Sequence, residues 1–109
     1  MPLTLRNITH TLYDAQGVEL ASAIVIATLS SDEVDTTNKY VRINEQPVMQ
    51  FTADGSGIAT LTLADNFSKS SYKVDTYPAG TTEFVAANLL HSVNIRVAGS
   101  DAALTDILA

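Results

Sequence analysis

Apolar and polar residues alternate with a period of two through most of the 109-residue chain, in short runs broken by Gly, Pro, Asn and Asp. Alternation of this kind, interrupted roughly every 8–12 residues by turn formers, predicts an all-β fold of about seven strands, a sandwich or barrel. The first run covers residues 3–13. Its apolar phase moves from odd positions (Leu3, Leu5) to even ones (Ile8, Leu12), and a one-residue slip exchanges the faces of a strand, so a bulge is expected near Arg6-Asn7. Asp14-Ala15-Gln16-Gly17 reads as a turn, with Gly17 supplying a positive φ. In "VELASAIVIATLS", Ala23, Val25, Ala27 and Leu29 form one face and Ile24 and Ile26 the other, so both faces are apolar. Residues 30–38 read as a polar, acidic loop. "YVRIN" places Val41 and Ile43 inward against Tyr40, Arg42 and Asn44. Gln46-Pro47 then ends it, because proline cannot donate to a ladder.

"TADGSGIATLTLADN" offers three readings of Asp54-Gly55-Ser56-Gly57: a tight turn, a phosphate cradle or half of a calcium loop. A Walker loop needs Lys and Ser/Thr after the second glycine and then a helix, but Ile58 and a strand follow. A calcium loop of the EF-hand type needs alternating oxygen ligands and a terminal Glu, which are missing. A hairpin turn between "VMQFT" and "IATLTL" is therefore expected, with Ala59, Leu61 and Leu63 inward and Thr60 and Thr62 outward.

Beyond a second polar loop at 66–71, "SYKVDTY" alternates Tyr72, Val74 and Thr76 against Lys73, Asp75 and Tyr77. "TTEFV" reads as a short strand, "AANLLHS" as a corner, and "VNIRVAG" as the last strand with Val93, Ile95 and Val97 inward. After Gly99 the period changes. "SDAALTDILA" predicts a short C-terminal helix over 100–109, capped by Ser100 or Asp101, with Leu104, Ile107 and Leu108 on one face. A helix this short is marginal in water and must dock on something. The domain reading is a single sandwich domain over 1–109, with residues 1–99 in the sandwich.

Composition narrows the function. With 46% apolar and 17% charged residues the chain is too hydrophobic for disorder, and it has no apolar run near the ~20 residues of a membrane span, so no membrane partner is expected. The formal charge is −6, and the six basic residues are scattered rather than gathered, which argues against nucleic acid. Absence of cysteine removes disulfides and thiolate chemistry. The N-terminus lacks a basic start and an apolar h-region, which predicts synthesis in the cytoplasm without Sec export, and makes the sequons at Asn7 and Asn66 chance matches.

His10 and His91 are the only histidines and follow no metal-ligand spacing. His10 shares phase with Ile8 and Leu12, so a partnered strand imidazole is expected rather than a metal ligand. No G-x-S-x-G elbow is present, and no catalytic residue, metal site or cofactor is expected. Asp32, Glu33 and Asp35 read as a solvated loop, against a weak cation site. Apolar surface without obvious cover is the more informative feature. Two accounts of it stand open: the C-terminal helix covers Ile24 and Ile26 within one subunit, or one of the two patches is a subunit interface. Chain-end side chains Leu3, Leu5, Leu104, Ile107 and Leu108 are the further interface candidates.

Four pieces of the chain carry a resemblance: Gly17 to Val25 as G-x-E-L-x-x-A-x-V, Thr52 to Gly57 as T-x-D-x-x-G, Tyr72 to Val74 as Y-x-V, and Pro78 to Leu90 as P-x-G-x-x-x-F…LL. Over residues 12–90 the chain resembles small β-sandwich domains of tailed-phage virion proteins, found in tail fibres and other tail appendages and related in style to transthyretin-like and fibronectin-like modules. The resemblance implies an immunoglobulin-like or transthyretin-like sandwich in a non-enzymatic virion protein. Such domains usually begin a far longer chain. A freestanding copy from Met1 to Ala109 is more similar to a capsid decoration (cement) protein or a small tail adaptor, in multi-copy or homo-oligomeric contact with capsid or tail proteins. A carbohydrate- or receptor-binding module is the rival from another class, with Tyr40 and Tyr77 as its outward aromatics.

Overall fold

The computed structural model describes residues 3–44, 49–66 and 70–109; the expected break at Gln46-Pro47 and the Phe67-Ser68 part of the second sequon lie outside the described residues. Among the described residues the protein is all-β, built from β1 (Leu5–Thr11), β2 (Ile24–Leu29), β3 (Glu33–Asp35), β4 (Tyr40–Arg42), β5 (Met49–Thr52), β6 (Ile58–Ala64), β7 (Tyr72–Tyr77), β8 (His91–Ile95) and β9 (Ala102–Ala103). Seven of these form two facing sheets, ordered β6-β1-β9 and β5-β2-β7-β8, while β3 and β4 pair only with each other. The sheets enclose one apolar core: Ile8, Ala59, Leu61 and Leu63 from the first meet Val25, Ala27, Leu29, Tyr72, Val74 and Ile95 from the second. Alternation explains the packing, since each strand offers every second side chain to the layer between the sheets.

The phase change in the first strand has a cause other than a bulge. The ladder between β1 and β6 runs unbroken from Leu5↔Ala64 to Thr11↔Ile58. Even positions take the inner side throughout, and Arg6 is the first of them, its guanidinium donating to both carboxylate oxygens of Asp65 at 3.1 and 3.2 Å. Leu5 is left on the exposed phase and Leu3 at the rim.

Asp54–Gly57 does form the expected turn, but it joins strands of different sheets, so it is an arch and not a hairpin. Asp54 Oδ1 accepts the N–H groups of Ser56 (2.8 Å) and Ile58 (3.1 Å), and the Gly57 N–H reaches the Asp54 carbonyl at 3.1 Å. Asp14 builds the same turn with Gln16, Gly17 and Val18. The two turns lean together, with Leu12 N–H donating to the Gly57 carbonyl at 2.8 Å.

The C-terminal helix is absent from the described residues. Ala102-Ala103 instead adds a short parallel strand to β1, Leu104–Asp106 is a single 3₁₀ turn, and Leu108 bridges to Ile95. Asp101, expected to cap a helix, accepts the Asn7 N–H at 2.8 Å. A ten-residue helix gains little in water, whereas the open edge of β1 satisfies backbone groups at once, so pairing prevails. "TTEFV" is likewise no strand; the chain from 78 to 90 loops over the reverse face of β2 and returns where the Leu90 N–H meets the Thr76 carbonyl at 2.8 Å.

Candidate functional site

The β3–β4 hairpin inverts the sheet-packing rule along its whole length. Residues 30–38 were expected to be a solvated acidic loop, yet Glu33–Asp35 pairs antiparallel with Tyr40–Arg42 and both Glu33 and Asp35 are buried. Asp35 makes the turn, accepting the N–H groups of Thr37 (3.0 Å) and Asn38 (2.9 Å) and the Asn38 side-chain amide. These bonds, from Asn38 above all, hold its carboxyl below the usual carboxylate range. Lys39 completes the turn in the left-handed region at φ 61°.

"YVRIN" was expected to turn Val41 and Ile43 inward, and the structure reverses this. Arg42 takes the inner side: it donates to the Tyr72 hydroxyl at 2.7 Å and to the Asp65 carbonyl at 2.9 Å, and lies 3.9 Å from the Glu33 carboxylate. Tyr72 in turn donates to the Ala64 carbonyl at 2.8 Å, and burial pushes its phenol above its ordinary value. Burial also pushes the Asp65 carboxyl up, but hydrogen bonds from Arg6 and the Gly99 N–H, with the charges of Arg6 and Arg42, more than offset this and leave it low. Hydrogen bonds to a charged group are worth about 1.5–3 kcal/mol each, as much as burying one aliphatic side chain. Several such bonds on the inner side therefore outweigh the burial forgone by three apolar residues, and the hairpin shows its apolar face to solvent: Val34 is 44% exposed, Val41 56% and Ile43 59%. Thr36 and Lys39 border this face, while Tyr40, expected to point outward, shares the inner phase of Arg42 opposite buried Asp35.

Val34 was missed in the sequence, although E-V-D opposite Y-V-R across a polar Thr-Thr-Asn-Lys turn is itself a hairpin pattern. The other interface candidates scatter. Ile24 and Ile26 pack with Tyr77 under Leu89, so the 78–90 segment covers them and not the C-terminus. Leu104 is 2% exposed in the core, Ile107 packs against that core, and only Leu3, Leu5 and Leu108 are exposed. The shared helical face of Leu104, Ile107 and Leu108 does not form. Tyr77, expected to point outward, is buried edge-on against Phe84 at 5.1 Å.

At the far end of the sandwich the fold brings His10 of β1 and His91 of β8 together, ring centroids 6.4 Å apart, in a cleft of about 300 Å³ lined also by Leu12, Tyr13, Leu20, Thr76 and Leu90. His10 was expected to have a partnered imidazole; its Nε2 is buried without a hydrogen-bond partner. Burial, and to a lesser degree the neighbouring His91, lowers its pKa from 6.5. The unfolded chain then binds the proton more readily, so stability is expected to fall as pH drops from 6.5 through the lowered value and to level off below it. Urea unfolding at intervals between pH 7.5 and 5 checks this; His10→Gln should flatten the profile, while His91→Gln should leave most of it.

No protein-family model matches the chain, and no curated protein matches it.

Proposed function

We propose that this chain is a non-enzymatic structural protein of a tailed-phage virion, a capsid decoration subunit that holds to the shell through the outer face of its β3–β4 hairpin. The inverted hairpin carries the reading. Three aliphatic side chains stand about half exposed on a tethered two-stranded ribbon, and covering each by a partner returns on the order of 1 kcal/mol, about half the value of complete burial. A two-stranded ribbon is marginal alone, and here its charged underside is clamped to Tyr72 and Asp65, which turns the apolar face outward. Binding of many copies would stabilise an assembled shell by mass action. The resemblance to virion domains supplies the setting, and the same face would serve a tail or fibre adaptor.

Quantitative mass spectrometry of purified virions tests the proposal. Many copies per particle, labelled over the head by antibody in electron micrographs, are expected for decoration. A few copies labelled at the tail would replace decoration with the adaptor, and absence from the particle would overturn the virion reading.

A further inference from the structure

We propose that His10 and His91 form a two-imidazole binding site for a first-row transition-metal ion, bridging the two sheets at the open end of the sandwich. Three observations converge there. The His10 Nε2 lone position is buried and has no hydrogen-bond partner, and neither has the Thr76 hydroxyl in the same cleft, which is fully buried. Orphaned polar atoms in a protein interior cost about 1–3 kcal/mol each, and a ligand that supplies their partner removes that cost.

The spacing stands at the outer limit for one ion, the linear one, so the His91 ring must swing inward for a bent coordination. With a metal–nitrogen bond of about 2.0–2.1 Å, a shared ion lies roughly 3.2 Å from each imidazole centroid, so two rings spanning one ion stand at most about 6.4 Å apart. The observed centroid separation is 6.4 Å at an interplanar angle of 41°. His91 is exposed and can rotate to close the separation toward a tetrahedral arrangement, while His10 is fixed by burial. Imidazole nitrogen selects zinc, copper or nickel over magnesium or calcium, which prefer oxygen. Among the described residues no group of three His, Cys, Asp or Glu side chains forms a closed site. The ion would therefore keep open positions for water, with the Thr76 hydroxyl placed to hydrogen-bond a bound water. Because β1 belongs to one sheet and β8 to the other, the ion would tie the two sheets together.

Zn²⁺ titrated into the whole protein at pH 7.5 is expected to bind at one equivalent, to shift the ring-proton NMR signals of both histidines together, and to raise the melting temperature, whereas Mg²⁺ does none of these. His91→Ala, at an exposed position, should keep the fold and weaken binding by roughly tenfold or more, since even loss of a group behind a metal ligand costs about 10–100-fold. His10→Gln should abolish the shift. If that variant does not fold, the joint perturbation of both rings in the native protein still decides. Perturbation of His91 alone, or unchanged affinity in His91→Ala, would overturn the site and leave the proposed virion role untouched.

Discussion

Replacing Gly57 by alanine is expected to lower the unfolding free energy by about 3–4 kcal/mol, while the same change at Gly17 costs only about 1–2 kcal/mol, the ordinary penalty for a left-handed Ala. The two glycines are a natural control for each other. Both end an Asp-x-x-Gly turn with the same hydrogen bonds, and both have positive φ, +82° at Gly17 and +76° at Gly57. Their surroundings differ. A Cβ on Gly17 meets nothing within 4 Å; on Gly57 it would lie 2.5 Å from the Leu12 carbonyl oxygen and 3.0 Å from the Leu20 nitrogen. Neither is a flexible side chain that can move aside. Those two groups are hydrogen-bonded to one another at 3.0 Å, and the Leu12 N–H donates to the Gly57 carbonyl, so relief would open the seam between the two turns. Urea unfolding of both variants reads the difference directly, and equal costs would show that the turns do not lean on each other.

Arg42→Met is expected to cost about 3–5 kcal/mol, the scale for removing one partner of a buried ion pair. The substitution leaves the fully buried Glu33 without its guanidinium neighbour, and takes donors from the Tyr72 hydroxyl and the Asp65 carbonyl together. Strands β3 and β4 pair only with each other and not with either facing sheet, so the loss should be local before it is global. Amide exchange in residues 33–35 and 40–42 should lose protection while β6 and β7 keep theirs. A uniform loss across the sandwich would contradict the view that Arg42 is the clamp of the hairpin.

The sequence carried the frame of this protein better than its surface. Inward Leu61 and Leu63 in β6, Tyr72, Val74 and Thr76 in β7, and both Asp-x-x-Gly turns were legible because strand alternation and turn chemistry are local. The hairpin was not, since alternation shows that Val41 and Arg42 face opposite ways without showing which way is in. That choice is made by Tyr72 and Asp65, 30 and 23 residues away. Helical spacing of Leu104, Ile107 and Leu108 was real but weaker than the pull of an unpaired β1 edge. The histidine cleft lay equally out of reach, because His10 and His91 meet only when the two sheets stack.

Under the proposed virion role, phage particles stripped of their copies, mixed with purified protein and pelleted, offer the most direct test of the hairpin as the docking face. Wild-type protein and a Leu108→Asp variant should pellet with the particles. Val41→Asp should remain in the supernatant, although its exposed position keeps stability within about 1 kcal/mol of wild type. Pelleting of Val41→Asp at wild-type stoichiometry, or loss confined to Leu108→Asp, would contradict it.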